Sequence, residues 1–431
     1  MDSFIYRDNE LYCEQVPVAQ IARDAGTPVY IYSAETLRKH YQNIAVAFAE
    51  LNPLVCYSVK GCSNIHICRM LAELGSGFDV VSGGELYRVQ QAGGHADKVV
   101  YAGVGKTDDE IRQAIEAGIA YFNIESEAEL ENLIAIADCM GRQVKGALRV
   151  NPDVDPKTHR YTTTGKKESK FGVDLERALC VFEQYGRNQF VNLCAIHLHI
   201  GSPVNSVEPY VEAIWKTLVF IDELRARGFT VDTLDLGGGF GADYTEGQAP
   251  SAKDYAKAII PMLRGKGLGL ILEPGRSISG NAGIFVSRVL YTKCGGEKKF
   301  VIIDGAMNDL IRPALYEAFH FIWPVRVSNG FSIENRQEAI HISGTQRVDV
   351  VGPICESGDY LAQNRHLPPL ERGNLLAVFT AGAYGFTMSS QYNSRPRVAE
   401  VLVEGDRFRI IRQRETYADL IERENSIAGK A

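Results

Sequence analysis

The feature that most constrains the fold is a pattern that repeats between about residue 54 and residue 274. Short apolar runs rich in β-branched residues predict strands, and each is followed by a turn and a segment with helical periodicity. The predicted strands are residues 54–59, 77–81, 99–102, 121–124, 144–150, 191–199, 233–236 and 269–272. Eight β-then-α units in series predict a (β/α)8 barrel. A doubly wound open sheet is the alternative, because a count from one sequence can err by a unit.

The helices predicted between these strands include residues 64–74, 85–91, 108–117, 127–140 and 209–227. After residue 284 the pattern changes to strands with few long helices between them. These strands are residues 284–292, 300–304, 339–343, 346–351, 375–379, 397–403 and 407–412. We therefore predict three parts: an N-terminal segment (1–35) that packs with the β domain, the barrel (36–283), and a C-terminal all-β, sandwich- or barrel-like domain (284–431).

Charge and composition exclude several classes of protein. The net charge of the 431 residues is −7 and no predicted helix carries a Lys/Arg block, so nucleic acid and anionic membrane are not expected as main partners. The N-terminus lacks a basic region followed by an apolar stretch, and no apolar run approaches the roughly 20 residues of a membrane helix. The nine cysteines form no CxxC pair. We expect reduced thiols in a cytoplasmic protein.

Reactive groups of a (β/α)8 barrel collect where its strands end. The first predicted strand ends in YSVKG, which places Lys60 at that rim. A lysine there is costly, because burial disfavours its charge, and one explanation is a side chain that reaches solvent just beyond the strand. The other is an amine prepared for Schiff-base chemistry. The groups at the other strand ends favour the second explanation.

Those groups include a glycine run, a carboxylate and two histidines. Gly237–Gly239 could simply form a tight bend, but together with Gly275 and Arg276 the run predicts a phosphate site. Glu273 is a carboxylate at a buried strand end and needs a partner. His199 could stack on an aromatic ring or be a hydrogen-bonded core residue. His197 and His199 could also form a metal pair, but no further set of ligands completes a shell, so we predict no metal.

Nine segments containing these residues occur in one order between residues 57 and 397: YSVKGCSN, GFDVVSGGEL, TTTGKKESKFGV, HLHIGSPV, LDLGGGFG, LEPGRSISGNAG, DGAMNDLIRPALYEA, VVGPICESGD and GAYGFTMSSQYNSRPR. Together they resemble the fold-type III pyridoxal-phosphate decarboxylases with alanine-racemase-like barrels, and within that group the diaminopimelate decarboxylases. Singly, EPGR or GGGFG would be unspecific. The resemblance implies a lyase of lysine biosynthesis that converts meso-2,6-diaminopimelate to L-lysine and CO2.

The same resemblance implies a role for each matching residue. Lys60 would hold pyridoxal phosphate through a Schiff base, His199 would stack on its ring, and Glu273 would keep its ring nitrogen protonated. The residues implied at the phosphate or its approach are Ser202, Gly238, Gly239, Gly275, Arg276 and Tyr384. The residues implied at the substrate are Arg276, Arg312, Tyr316, Glu356 and Tyr384. Cys355 would protonate the product carbon.

Cys355 and Glu356 would reach into the partner subunit's site in the family, which implies a homodimer. A distal carboxylate on the substrate suits the arginines, and a distal ammonium suits Glu356. The alternatives are a decarboxylase of another basic amino acid (ornithine, lysine or arginine), a racemase, and a non-catalytic regulatory relative. RPALY and CESGD argue against the first two, and the intact Lys60 and Cys355 argue against the third. The sequence departs from the family at Gly61-Cys62 and His159-Arg160, which lie beside these groups.

Overall fold

A computed structural model describes residues 2–155, 170–328, 330–333, 335–340 and 342–428. The chain divides into two compact units. One unit comprises Met1–Lys39, Ala242–Gln248 and Ile278–Ala431, and the other comprises His40–Gly241 and Ala249–Ser277. Within the described ranges, every helix is too short or too polar to cross a membrane.

The N-terminal elements are β1 (Phe4–Arg7), β2 (Glu10–Cys13), β3 (Val16–Pro17), α1 (Val18–Ala25), β4 (Val29–Ser33) and α2 (Ala34–Ala47). The central elements are β5 (Leu54–Ser58), α3 (Ile65–Glu73), β6 (Gly77–Val80), α4 (Gly83–Gln91), β7 (Val99–Tyr101), α5 (Asp108–Ala117), β8 (Tyr121–Ile124), α6 (Glu127–Met140), β9 (Val144–Asn151), β10 (Val173–Asp174), α7 (Leu175–Tyr185), β11 (Val191–His197), α8 (Glu208–Ala226), β12 (Thr233–Asp235), α9 (Ala252–Leu263), β13 (Gly269–Leu272) and α10 (Arg276–Ser279).

The C-terminal elements are β14 (Gly283–Gly295), β15 (Lys298–Ile303), α11 (Arg312–Tyr316), β16 (Ile322–Pro324), β17 (Gln346–Val351), β18 (Tyr360–Leu367), β19 (Leu375–Val378), β20 (Ala399–Glu404), β21 (Arg407–Arg412) and α12 (Tyr417–Ala428).

Eight parallel strands close into a ring in the order β9-β11-β12-β13-β5-β6-β7-β8, and β8 pairs with β9. Short strand β10 adds to β9 outside the ring. The predicted (β/α)8 barrel is therefore confirmed, and the open doubly wound sheet is wrong. Strands β6 and β7 are buried along their whole length. That burial explains why they read as continuous apolar runs rather than alternating ones.

Six barrel helices (α3, α4, α5, α6, α7 and α9) begin at side-chain caps that the sequence carries, whereas α8 begins without one. Thr107 and Ser251 form reciprocal capping boxes with Glu110 and Asp254. Such pairs satisfy backbone N–H groups that have no partner within the helix. The other side-chain N-caps of the barrel helices are Asn64, Ser82, Ser126 and Asp174. Helix boundaries in this unit are therefore set locally, and the five predicted helices are each found within two residues of their expected ends.

The sheet of the other unit runs β18-β17-β15-β14-β4-β20-β21, and β19 joins β14 to β16. N-terminal strand β4 lies in its middle, antiparallel to β14 and parallel to β20. The predicted C-terminal β domain is confirmed. The strand predicted at 339–343 is wrong, because its described residues (339, 340, 342 and 343) do not lie in a strand. Its apolar alternation suggested a strand, yet Ala339 is exposed. Strands β16 and β18 were not predicted; β18 is polar and interrupted by Asn364 at φ +54°.

Asp309 is a buried acid of this unit whose ionisation makes stability depend on pH. It is 3 % exposed, and burial raises the pKa of its carboxyl to about 7, although the Ala306 N–H lowers it. An unfolded aspartate titrates near 3.9. The folded state therefore binds more protons between these values, and stability is lost as the pH rises through them.

We predict that Asp309→Asn, which cannot ionise, raises the free energy of unfolding relative to the parent protein more at pH 8 than at pH 5. The gain should be about 1–3 kcal/mol between the two pH values. Urea unfolding at both values measures it. A difference between variant and parent that is the same at both pH values would contradict this assignment.

Candidate active site

Lys60 lies in the turn after β5 and contacts a buried carboxylate. Its Nζ is 2.9 Å from Oδ2 of Asp79, which is fully buried on β6, and the Ser58 hydroxyl donates to the same oxygen at 2.6 Å. Burial raises the pKa of Asp79, as does the charge of Glu273, whereas Lys60 lowers it. The Lys60 side chain is 32 % exposed. The amine is thus partly accessible and paired, not simply extended into solvent.

Glu273 follows β13 and lies in a cluster of buried polar side chains. The Asn123 amide, on β8, donates to Glu273 Oε1 at 2.9 Å and to Asp235 Oδ2 at 3.1 Å. The His197 Nε2 atom is 3.5 Å from Glu273 Oε2. Three strand ends thus supply the partners of one carboxylate. The sequence predicted that Glu273 needs a partner, but it did not identify these residues.

The two carboxylates of this cluster titrate in opposite directions. Burial raises the pKa of Asp235 well above its usual range, and the neighbouring charge of Glu273 raises it further. Burial also acts to raise the pKa of Glu273, but His197 and Lys60 outweigh it, and the pKa is lowered. The surroundings therefore favour the protonated form of Asp235 and the ionised form of Glu273. An ionised, buried carboxylate at this position can accept a hydrogen bond from a protonated ring nitrogen.

The metal pair considered from the sequence was His197 with His199. The structure instead brings ligand atoms of His197, Asp235 and Glu273 within 4.8 Å of one another. An amide donor, Asn123, points at both carboxylates of that group. A bound cation would need the carboxylate oxygens to which Asn123 donates. The amide N–H groups therefore compete with a metal at this position.

His199 is neutral, and its tautomer is defined by the backbone. Burial lowers the pKa of its imidazole well below the usual value, and the positive charges of Arg149 and Lys60 lower it further. The Gly201 N–H donates to Nδ1 at 3.3 Å, so the proton lies on Nε2. Arg149 also donates to the His199 carbonyl at 3.4 Å while paired with Glu125 at 2.7 Å. A neutral ring held this way is suited to stacking on another aromatic ring.

The glycine run after β12 packs too closely for side chains. A Cβ at Gly238 would lie 2.3 Å from the Glu273 carbonyl oxygen, and one at Gly239 would lie 2.3 Å from the Gly201 carbonyl oxygen. Gly239 also has φ +97°, a region that L side chains rarely adopt. The run is therefore glycine because neighbouring strand-end loops approach it, and this leaves its N–H groups unhindered.

Arg276 extends the polar groups at this rim. It is 5 % exposed, and its Nε donates to the Ser202 hydroxyl at 3.1 Å. Gly275 allows close approach, since a Cβ there would lie 2.9 Å from Ser58 Cβ. The Ser277 hydroxyl is buried without a hydrogen-bond partner among the described residues. A buried guanidinium and an unsatisfied hydroxyl beside a glycine run fit an anionic group such as phosphate.

The remaining predicted residues belong to the other unit. Arg312, at the start of α11, is 7 % exposed, and its Nε donates to His320 Nε2 at 3.3 Å. Its guanidinium lies 5.1 Å from the Tyr244 ring centre and 6.0 Å from that of Tyr316. These contacts hold the guanidinium plane in one orientation, which is what bidentate binding of a carboxylate requires.

Tyr384, Cys355 and Glu356 complete the predicted set. Tyr384 has φ +56°, an uncommon conformation for a bulky residue and one that clusters at functional sites. Cys355 and Glu356 are both exposed on one turn. Most of the TTTGKKESKFGV segment, together with His159 and Arg160, lies outside the described residues.

Comparison with known proteins identifies the family. The model of the pyridoxal-dependent decarboxylases, pyridoxal binding domain, matches residues 34–280. The diaminopimelate decarboxylase of Aquifex aeolicus is 44 % identical over 97 % of this chain and 96 % of its own. That of Pseudomonas aeruginosa is 46 % identical over 97 % of this chain and 98 % of its own.

The chain belongs to the diaminopimelate decarboxylase family of pyridoxal-dependent decarboxylases. A crystal structure of such an enzyme from Helicobacter pylori, complexed with L-lysine, superposes with a TM-score of 0.88. It is 39 % identical and covers 95 % of this chain and 99 % of its own. The resemblance drawn from the nine segments is confirmed, as are the carboxy-lyase class and pyridoxal phosphate as the cofactor.

The predicted groups Lys60, His199 and Glu273 lie at ends of barrel strands, and Ser202, Gly238, Gly239, Gly275 and Arg276 surround them in the same unit. Sequence reasoning missed Asp79, Asn123 and Asp235. Asp79 lies in the GFDVVS segment, within the second predicted strand. An acidic residue inside an apolar run was the signal that could have identified it. Asn123 had the weaker signal of an amide in a buried strand.

We predict that Gly239→Ala lowers the affinity for pyridoxal phosphate by at least about ten-fold, because a Cβ there displaces the neighbouring loop. Gly265→Ala is the matched control. It has φ +73°, but nothing lies within 4 Å of its added Cβ. Fluorescence titration with the cofactor and a thermal melt measure both. Equal losses of affinity in the two variants would show that backbone strain, not the cradle, is responsible.

Proposed function

We propose that this chain decarboxylates meso-2,6-diaminopimelate to L-lysine and CO2, the last step of lysine biosynthesis. The observation that carries the proposal is the match, over almost the full length of both chains, to enzymes of that name. The H. pylori structure with bound L-lysine fits the product of such a reaction. The residues of the barrel rim agree with it, since an accessible amine, an ionised buried carboxylate and a neutral imidazole occupy neighbouring strand ends.

The barrel residues fit the cofactor in chemical type. Lys60 would hold it covalently, and its neighbour Asp79 would keep the amine in place. His199 would lie against the ring, and Glu273 would bind the ring nitrogen. The residues that would bind or approach the phosphate are Ser202, Gly238, Gly239, Gly275, Arg276 and Tyr384. When bound, pyridoxal phosphate takes up the electron pair released as the bond from Cα to the carboxylate breaks.

Glu273 would support that chemistry by remaining ionised. Its pKa is lowered by His197 and Lys60 against the effect of burial, whereas the pKa of its neighbour Asp235 is raised. A charged carboxylate facing a ring nitrogen keeps that nitrogen protonated and positive. His197, Asn123 and Asp235 would therefore act on the reaction through Glu273.

Cys355 would deliver the proton that replaces CO2 on Cα. A thiol can act as a general acid and donate its proton to a carbanion. After transfer, the thiolate would recover a proton from water. The exposure of Cys355 on its turn is consistent with both steps.

The second amino-acid end of the substrate would be recognised by charge. Arg276 and Arg312 would bind the distal carboxylate, with Tyr316 and Tyr384 beside it, and Glu356 would bind the distal ammonium. Arg312 is largely buried and held by His320. Substrates without a distal carboxylate would leave a buried guanidinium without its anion, which is the kind of mismatch that gives strong discrimination.

We also propose that the enzyme is a cytoplasmic homodimer in which Cys355 and Glu356 act in the partner subunit's site. Both residues are exposed on a single chain, which supports the dimer. Association with a second chain would bury them in that chain's site. All nine cysteines carry free thiols, which supports a reducing compartment.

We predict that CO2 release is fastest with meso-diaminopimelate when it is assayed beside lysine, ornithine and arginine. Arg312→Lys, which keeps the charge but loses the planar fork, should lower kcat/KM for diaminopimelate by about ten-fold or more. It should change the slow turnover of lysine much less. Lys60→Ala gives the background rate. Faster release from ornithine than from diaminopimelate would exclude the proposed substrate.

A mixing experiment tests the shared site. Equal amounts of inactive Lys60→Ala and Cys355→Ala subunits are unfolded together and refolded. If Cys355 acts across the interface, half of the dimers carry one site with both residues intact, and about a quarter of the parent activity returns. If both residues act within one chain, the mixture stays as inactive as either variant alone.

A further inference from the structure

The turn that carries Cys355 and Glu356 is tightly hydrogen-bonded at its base. The Ile354 N–H donates to Asp359 Oδ2 at 2.7 Å, and the Asp359 N–H donates to the Glu356 carbonyl at 3.1 Å. Asp359 is 4 % exposed and also accepts from the Met307 N–H at 2.8 Å. The base is therefore anchored to the core of its own unit, whereas the two residues at the tip are exposed.

A second segment holds that tip. The Cys355 N–H donates to Asn393 Oδ1 at 2.9 Å. Asn393 thus accepts a hydrogen bond from the backbone of the residue proposed to deliver the proton. Neither Tyr392 nor Asn393 is part of the core, since Tyr392 is 45 % exposed.

The second segment is itself fixed in an uncommon backbone conformation. Asn393 has φ 54° and ψ 29°, and Ser394 has φ 53°. Asparagine is among the few residues with a side chain that tolerate this left-handed region. The Ser390 N–H donates to the Asn308 carbonyl at 2.8 Å, and Arg395 donates to the Asp304 carbonyl at 3.2 Å. Both ends of the segment are therefore tied to the loop that also binds Asp359.

We propose that Asn393 is a positioning residue of the reaction, because its side chain fixes the backbone of Cys355. This inference rests on the role proposed above for Cys355. Misplacing a reacting group by about 1 Å can cost on the order of a hundred-fold in rate. An exposed tip needs such external contacts more than a buried one, because packing does not restrict its rotamers.

The contact can be removed by one substitution in the holoenzyme. Asn393→Gly deletes the Oδ1 acceptor but keeps the left-handed backbone accessible, and Ser394→Gly is the matched control at the neighbouring left-handed position. We expect Asn393→Gly to lower kcat about ten-fold with KM nearly unchanged, since it disturbs the proton donor. Ser394→Gly should match the parent enzyme.

A readout that does not depend on activity is hydrogen–deuterium exchange of the peptide containing Cys355. Its amide should exchange several-fold faster in Asn393→Gly than in the parent or in Ser394→Gly. A merely structural role would lower the melting temperature and disturb kcat and KM together. Should Asn393→Gly fail to fold, Asn393→Asp, which keeps an accepting oxygen at this position, should retain the parent kcat, and a loss of about ten-fold in that variant would overturn the inference.

Cys355→Ala separates this inference from the proposed function. If Cys355→Ala loses activity while Asn393→Gly keeps the parent kcat, the positioning role is refuted and the proposed function stands. If Cys355→Ala itself keeps the parent kcat, the proton-donor assignment is refuted, and the role of Asn393 with it.

Discussion

Closure of the parallel barrel is the constraint on which the site depends. Two residue pairs, Ile271 with Leu54 and Leu272 with Val55, join the last strand β13 to the first strand β5. This ladder brings Lys60, just after β5, to the same rim as Glu273, just after β13. Because all eight strands are parallel, every chemistry-bearing strand end reaches that rim. An open sheet with the same strands would place the first and last of them at opposite edges.

The rim concentrates charge that a protein interior would otherwise exclude. Asp79, Asp235 and Glu273 are all buried, and isolated buried carboxylates are strongly unfavourable. The structure offsets this with the Lys60 amine beside Asp79 and the Asn123 amide between Asp235 and Glu273. These surroundings raise the pKa of Asp235 and lower that of Glu273. The buried charge of these carboxylates lowers the stability of the fold. It lies where the cofactor needs a fixed negative charge.

The sequence predicted what depends on local pattern. Strand and helix periodicity indicated the barrel, and the rule that strand ends share a rim identified Lys60, Glu273 and the glycine run. It did not predict which side chains would meet there. Asn123 and Glu273 are 150 residues apart, and only ring closure brings them together. The β domain was less predictable, because edge strand β18 is polar and the apolar alternation at 339–343 belongs to no strand in its described residues.

The central claim is that Lys60 is the amine that carries pyridoxal phosphate. Borohydride reduction of the holoenzyme fixes the cofactor to the lysine that holds it, and peptide mass spectrometry then locates the pyridoxyl group. Our account predicts that it is found on the peptide containing Lys60 and that the label is lost when diaminopimelate is added before reduction. A pyridoxyl group on another lysine, or none at all in a preparation saturated with cofactor, would contradict the account.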